Sequence, residues 1–555
     1  MKYGRAWRSC ARRALQTRNW MADRSVGGRK PMIEQTREHI FLYGPPGSGK
    51  TTLAEALAET LQRHFVDLDA HIAQAAGASI PQIFETQGEE IFRRLESEQL
   101  ELACAETAAC VIALGGGALL DPQNRRMVEK SGVVICLMDT EANLLARVRA
   151  QSGQRPLLSG DPAQRLADLL AKRAAHYASF NTLHVNKREV SVLVREIQQQ
   201  LGVYRISGMG AGYDVIVKRS ALAQVGSYLQ QRGLPGPLVV VSDTVVAPLY
   251  AKQVLDSLKR AGYSASLVTI PAGEAFKTLA TTATIWEQFL SAGVERGSTI
   301  VALGGGVVSD LAGFAASAYL RGVRWVVCST TLLAMVDAGL GGKTGVDLPQ
   351  GKNLVGAFHA PALVLSDPDC LQTLPLEEQR NGLAEALKHG VIQDAVLFEQ
   401  CQQPFDSIDW EDLVRRAVVV KVNVICEDPY EKGRRATLNL GHTIGHAIEL
   451  VSGFHLKHGE AIGVGMLAEA QLAVRLGMAE AVLPEMIRAA LEKIGLPTCI
   501  PTGMDLEEVM QTMQHDKKKA GGAVKFALPL AVENVRHGVE VDAGLIAAIL
   551  AELQY

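Results

Sequence analysis

The run Gly44-Pro-Pro-Gly47-Ser48-Gly49-Lys50-Thr51-Thr52 joins glycines that let backbone amides crowd an anion to a lysine that can reach it. A hydroxyl able to ligate a cation follows at once. This is a complete Gly-x-x-x-x-Gly-Lys-Thr phosphate loop and implies binding of a nucleoside triphosphate. Far downstream lie Glu385 in Ala-Glu-Ala-Leu-Lys-His, His442 and His446 in Leu-Gly-His-Thr-Ile-Gly-His, and His458 in Lys-His-Gly-Glu. Two histidines four apart share a helical face. With a carboxylate and a further imidazole they form a set suited to a divalent metal that keeps an open position. The pattern is not His-Glu-x-x-His, which disfavours a zinc protease. A lone histidine is ordinarily a hydrogen-bonded core or surface residue. Here four of the 13 histidines fall between 442 and 458, and the clustering outweighs the ordinary reading. No single small active site requires both signatures, so the chain is expected to join two enzymes.

Elements must position these groups. Residues 39–44 read as a short buried strand and 50–61 as the helix after the loop. Further apolar strands are expected at 65–69, 109–114 and 133–138, and an amphipathic helix at 190–201. Apolar strands alternating with helical stretches imply a parallel sheet covered on both faces, an α/β fold. The glycines of Ser207-Gly-Met-Gly-Ala-Gly212 suit a flexible linker, so residues 201–212 are read as the junction. Strands at 237–242, 264–270 and 298–303 open a second α/β segment, and from about residue 375 the pattern becomes mainly helical. Gly-Gly-Gly follows a strand at both 115–117 and 304–306, but the flanks do not align, so convergence is preferred to an internal repeat.

A chain of 555 residues is too long for one core. Residues 1–31 hold nine Lys and Arg against the single acid Asp23, a net of +8, leaving −11 for the rest of a chain whose total is −3. That balance argues against a nucleic-acid partner. The nine cysteines are scattered without a Cys-x-x-Cys pair and read as buried thiols in a reducing, cytoplasmic setting. No apolar run is long enough to span a membrane. The basic 1–31 segment reads as a disordered extension, or an upstream start with Met21 or Met32 as the functional one, in preference to an organellar transit peptide.

The order of motifs after the phosphate loop narrows the acceptor. Phe65-Val-Asp67-Leu-Asp69, Gly88-Glu-Glu-Ile-Phe-Arg93-Arg-Leu-Glu96, Gly115-Gly116-Gly117, Arg155-Pro-Leu-Leu and Arg173-x-x-x-Tyr177 follow one another. In this sequence residues 36–200 resemble shikimate kinase. The resemblance implies ATP with Mg²⁺ at Gly44, Gly47, Ser48, Gly49, Lys50, Thr51, Thr52 and Asp67. It further implies that Asp69 orients the attacking hydroxyl of shikimate and that Arg93 and Arg173 grip its carboxylate, with Gly116 and Gly117 against the ring. Arg155 would serve from a lid, and Lys50, Asp69 and Arg155 would be the catalytic groups. Phosphoryl transfer needs positioning and positive charge more than covalent chemistry, and a planar arginine fork suits a carboxylate. Pro45-Pro46 departs from the family's usual Phe-Met or Pro-Met, and these positions are expected to face away from the acceptor pocket.

The second half carries Pro271-Ala-Gly-Glu274-Ala-Phe-Lys277, Leu303-Gly-Gly-Gly306-Val307-Val-Ser-Asp310, Ser329-Thr330-Thr331, Met335-Val-Asp337, Gly341-Gly-Lys343-Thr-Gly-Val-Asp347 and Lys352-Asn353. With the metal set, residues 205–553 resemble 3-dehydroquinate synthase. What the resemblance implies is a dinucleotide-binding α/β part over 213–374 and a helical metal- and substrate-binding part over 375–555. Glu385, His442 and His458 would ligate Zn²⁺ or Co²⁺. Asp243, Glu274, Lys277, Gly305, Gly306, Val307, Asp310, Thr330, Thr331, Lys343 and Lys352 would hold NAD⁺. Substrate would meet Asp337, Lys343, Asn353, Lys388, Lys421, Arg435, Asn439, His446 and Lys517. Arg321 would reach it from a neighbouring subunit of a homodimer, and Lys388, Lys421 and His446 would act in catalysis. Gly339 and Ser309 depart from the commoner Ser and Gly.

The combination implies a bifunctional enzyme of aromatic amino-acid biosynthesis whose partners are small molecules. The synthase half has rivals: another sugar-phosphate cyclase, a metal-dependent polyol dehydrogenase, or a fold that has lost catalysis. The last is disfavoured by intact Lys50, Asp69, Glu385, His442 and His458.

Overall fold

A computed structural model of the chain describes residues 38–150, 161–349, 351–520 and 524–554, with side chains described for all of these except 514–520. The basic 1–31 segment and Arg155 lie outside the described residues, as does the side chain of Lys517.

Five strands form the first sheet: β1 (His39–Tyr43), β2 (His64–Asp67), β3 (Cys110–Ala113), β4 (Gly132–Met138) and β5 (Asn181–His184). They run in the order β2-β3-β1-β4-β5, and every pairing is parallel. Alternation along β1 explains the layering. Ile40 and Leu42 pack with Leu53, Leu57, Leu61, Leu193 and Ile197, from the helices Lys50–Leu61 and Val190–Leu201. Phe41 and Tyr43 enter the opposite core with Phe92, Leu100 and Val128 from Ile80–Ala105 and Pro122–Ser131. Leu42 stands beside Ala113 in the ladder, so β1 and β3 end together and their two glycine loops emerge at one sheet edge. Sequence placed β1 to β4 within two residues of their observed bounds and missed the short edge strand β5, and one difference is of consequence. The second strand stops at Asp67, which caps the helix Leu68–Ala76 through the Ala70 amide, so Asp69 lies in the first helical turn.

The second sheet contains β6 (Val203–Ile206), β7 (Tyr213–Val217), β8 (Leu238–Asp243), β9 (Ala265–Ile270), β10 (Thr299–Gly304) and β11 (Arg324–Ser329). A hairpin of β12 (Lys343–Leu348) and β13 (Gly351–Phe358) precedes its last strand, β14 (Leu363–Ser366). The order is β6-β7-β14-β11-β10-β8-β9, parallel throughout except for β6 against β7. Residues 207–212 are therefore the turn of a hairpin within this sheet, and the expected flexible linker is corrected. Gly208, Gly210 and Gly212 all have positive φ, the conformation such a turn requires and glycine adopts without strain.

The helical part is mostly as expected, but it also contains the hairpin β15 (Lys525–Ala531) and β16 (Asn534–Glu540). One continuous apolar core runs from Tyr204 to Leu553, so the α/β and helical parts are not separately cored. Eight cysteines are described, all free and six of them buried. Among the described residues no helix is long and apolar enough to cross a membrane.

Candidate active sites

At the first sheet edge Lys50 leads the helix out of the phosphate loop. Its ammonium donates to the Gly44 and Pro45 carbonyls at 2.9 and 3.0 Å. Thr51 Oγ1 donates to Asp67 Oδ2 at 2.9 Å, which joins two residues expected at one cation. Gly47 and Gly49 hold positive φ, and Ser48 is fully buried with a hydroxyl that makes no hydrogen bond. Arg147 was not singled out by sequence. It donates to the Gly47 carbonyl at 2.9 Å while anchored by Asp139 at 2.6 Å. An arginine on the amphipathic helix Glu141–Ala150 gives no sequence signal of that role.

The acceptor residues converge beside it. Arg93, Glu96, Gly117 and Arg173 line a cavity of about 600 Å³. The Gly116 carbonyl accepts from Arg173 Nη1 and Tyr177 OH, each at 2.9 Å, and from Tyr43 OH at 3.3 Å. A Cβ added at Gly117 would lie 2.9 Å from Arg93 Nη2. Glu96 is buried and holds Arg93 at 2.7 Å. Burial pushes its carboxyl up, against the pull of Arg93. Pro46 meets the triple-glycine turn, where a Cβ on Gly116 would lie 3.5 Å from its Cδ, because neighbouring strands bring the two loops to one sheet edge; neither Pro45 nor Pro46 is among the residues lining the acceptor cavity.

In the second half, Glu385 sits in the helix Leu376–Gln393, His442 and His446 in His442–Val451, and His458 at the start of His458–Arg475. The Glu385 carboxylate is fully buried. Its Oε1 lies 3.5 Å from His442 Nε2 and 3.4 Å from His458 Nε2, and its Oε2 pairs with Lys388. Two donors each about 2.0–2.2 Å from a tetrahedral ion stand about 3.3–3.6 Å apart, so this spacing at a buried carboxylate oxygen fits a divalent metal. Candidate ligand atoms of His442, His446 and His458 also lie within 4.8 Å of one another. Burial drives the His442 imidazole well below its ordinary value. His458 is desolvated too, but Glu385 and Glu449 overcome that and raise it to about 9. Asp337, Glu385 and His389 form a second close group. There the Lys421 ammonium already neutralises Asp337 at 2.5 Å, and the Glu385 Oε1 faces His442 and His458 instead.

The dinucleotide residues gather at the carboxyl ends of β8 and β10. Gly305 caps the helix Gly306–Ala318, where Val307 and Asp310 lie in the first two turns. Buried Lys277 meets Asp310 and Asn353 Oδ1, both at 2.6 Å. Burial raises Asp310 to about 6 even against that ammonium. The Thr330 amide donates to Gly304, its hydroxyl is buried without a partner, and Thr331 packs on Gly305. Asp243 accepts the Val245 and Val246 amides at 2.8 Å, and Lys352 approaches Glu274 at 3.7 Å. Arg435 is buried against Gly341. Glu431 binds Lys343 at 2.5 Å and Asn439 at 2.9 Å, tying two expected substrate residues together. Sequence gave Glu431 no role because an acid in Asp-Pro-Tyr-Glu-Lys-Gly reads as a solvated turn. Arg321 is exposed beside Leu320, both at positive φ, and has no hydrogen-bond or ion-pair partner among the described residues.

The two folds and sites define a phosphate-loop kinase followed by a dinucleotide- and metal-dependent carbocycle-forming enzyme. The family model for shikimate kinase matches residues 46–202, and those for the N-terminal and C-terminal parts of 3-dehydroquinate synthase match 267–381 and 382–519. The chain is 42% identical to the 3-dehydroquinate synthase of Nostoc punctiforme over 347 residues, 61% of this chain and 96% of that protein. It is 28% identical to a solved 2-deoxy-scyllo-inosose synthase complexed with carbaglucose-6-phosphate, NAD⁺ and Co²⁺, with a TM-score of 0.58, covering 63% of this chain and 99% of that one. It is also 37% identical to the shikimate kinase of Acinetobacter baumannii, covering 30% of this chain and 93% of that one, with a TM-score of 0.29. The chain belongs to the 3-dehydroquinate synthase family and carries a shikimate kinase domain fused ahead of it.

Proposed function

We propose that the first half transfers the terminal phosphoryl group of ATP to the 3-hydroxyl of shikimate. The second half converts 3-deoxy-D-arabino-heptulosonate 7-phosphate to 3-dehydroquinate with release of phosphate, a step not consecutive with the first. In the kinase, Lys50 and the loop amides neutralise the phosphates, and Thr51 with Asp67 holds Mg²⁺. Asp69 orients the attacking hydroxyl, and Arg93 and Arg173 fix the carboxylate. Arg155 is assigned charge neutralisation from its motif alone.

In the synthase, Glu385, His442 and His458 hold the divalent ion, and residues from Asp243 to Lys352 hold NAD⁺. When bound, the ion would supply Lewis acidity toward substrate hydroxyls and the dinucleotide would supply reversible hydride-transfer chemistry. Lys343, Asn353, Lys388, Lys421, Arg435 and Asn439 bind the phosphorylated acid in one conformation. His446, near the ligands but left out of the set, moves a proton at the substrate. Lys517 is assigned to the pocket by its motif. Zn²⁺ and Co²⁺ suit the donors equally. The strained, unpartnered Arg321 supports a homodimer in which it reaches the neighbour's phosphate site. The free buried thiols support a cytoplasmic setting. We place the junction of the halves at Gly202.

The observation that carries the synthase reading is the buried Glu385 carboxylate at donor spacing from two imidazoles. Purified full chain should form ADP with ATP and shikimate, and should release phosphate from the heptulosonate phosphate without net NADH. Net NADH would instead indicate a polyol dehydrogenase. Turnover only with a different sugar phosphate would indicate another cyclase.

A further inference from the structure

Glu449 lies outside every role assigned so far. It occupies the helix that presents His442 and His446, three residues beyond the second of them, and is 4% exposed. A carboxylate is this deeply buried only when its charge is paired, and both oxygens are engaged. Oε2 meets His458 Nδ1 at 3.3 Å, the ring nitrogen opposite the one facing Glu385. Oε1 accepts from Lys352 Nζ at 2.8 Å, and that ammonium also lies 4.5 Å over the Phe454 ring. Lys352 belongs to the β12–β13 hairpin and approaches Glu274 on the dinucleotide side. One carboxylate thus joins a metal-side imidazole to the hairpin that borders the dinucleotide.

We propose that Glu449 is a positioning residue that fixes the His458 imidazole for the metal and couples metal occupancy to dinucleotide binding through Lys352. This rests on the metal and NAD⁺ assignments above. By accepting from Nδ1, Glu449 fixes the tautomer that leaves Nε2 available as a ligand and holds the ring plane. By holding Lys352 with its other oxygen, it docks the hairpin on the helical part. Ordering the carboxylate for one ligand therefore spares the other that cost, and linkage makes the effect reciprocal.

The test uses the full-length chain, stripped of metal and titrated with Co²⁺ by equilibrium dialysis and by its visible absorption. NAD⁺ affinity is measured with and without Co²⁺. The unsubstituted chain should bind NAD⁺ several-fold more tightly when Co²⁺ is present. Glu449→Gln keeps size and one acceptor, and should weaken Co²⁺ binding about tenfold; Glu449→Ala should approach the hundredfold end of the range for such outer partners. In both variants Co²⁺ should no longer affect NAD⁺ affinity. Kinase turnover by the same molecules and an unchanged Tm for Glu449→Gln exclude global damage. If Glu449→Gln retains the parent Co²⁺ affinity and absorption, or the Co²⁺ effect on NAD⁺ survives in it, the proposal is overturned. If the unsubstituted chain binds no Co²⁺, the metal assignment fails as well, which separates the two failures.

Discussion

His442 and His446 lie one helical turn apart, yet different consequences are expected from losing each. His442 Nε2 is at ligand spacing from Glu385, whereas His446 shares the cluster without an equivalent contact to that carboxylate. His442→Ala should abolish synthase turnover and leave the purified protein without its metal. His446→Ala should retain metal while kcat falls on the order of a hundredfold, the scale of a lost proton-transfer group. Equal metal loss in both variants would make His446 a ligand. Lys421 supplies a pH signature. Burial pushes its ammonium down to about 8, against the pull of Asp337. The folded value lies below the ordinary 10.5, so burying this charge opposes folding below about pH 8, and that opposition fades between 8 and 10.5. Substrate binding should respond oppositely: above about pH 8 the cation is lost, and kcat/KM for the phosphorylated substrate should fall roughly tenfold per pH unit. Lys421→Arg should move that limb upward, and a profile flat from pH 7 to 9 would remove Lys421 from binding. At this scale sequence exposed the residues whose types are rare together, Lys50 in its loop and Glu385 with its histidines. Glu431 and Glu449 stayed hidden, because their roles depend on partners far along the chain.

Among the elements, the triple-glycine turn after β3 is the most constrained. Gly116 is pressed against the phosphate loop and Gly117 against the Arg93 guanidinium. Gly117→Ala should displace that fork and raise the shikimate KM by about tenfold, which corresponds to about 1.4 kcal/mol. ATP binding and phosphate release by the synthase should be unchanged. An unaltered KM would show that Arg93 has room to move and that the turn does not set its position. Strand, loop and helix were legible here because their signals are local: an apolar run, glycines at fixed offsets, then buried positions recurring every three to four residues in Lys50–Leu61. The β15–β16 hairpin was not legible. Its inner residues Phe526, Ala527 and Leu528 are buried, but Asn534-Val-Arg-His-Gly-Val-Glu540 reads as polar chain until a long-range partner is known.

For the whole molecule, the place where one half gives way to the other decides how separable the activities are. Gly202 has φ of +64° and ends the kinase's last helix. A Cβ there would lie 2.7 Å from Arg415 Nε, so the junction is packed on the synthase helix Trp410–Glu427. Gln199 donates to Asp412 at 3.0 Å, Arg415 to the Gln200 carbonyl at 2.9 Å, and Arg205 to Gln62 at 2.8 Å. Asp214 holds Arg205 and Arg232, and Arg232 reaches back to Glu38 at 3.5 Å. The next strand, β6, buries Tyr204 and Ile206 almost completely in the synthase core. Sequence could not reveal this, since a glycine-rich run reads alike as linker or hairpin turn. A cut within 207–212 would strip the synthase of its edge strand. Burying two such side chains is worth about 1.5–3 kcal/mol each, and the bared β7 edge would invite association. The fragment 203–555 should therefore remain soluble with synthase turnover. The fragment 208–555 should melt at least several degrees lower and aggregate. Differential scanning of the two fragments side by side decides the matter: equal melting temperatures would mean that β6 is dispensable to the synthase half and that the boundary belongs after residue 207.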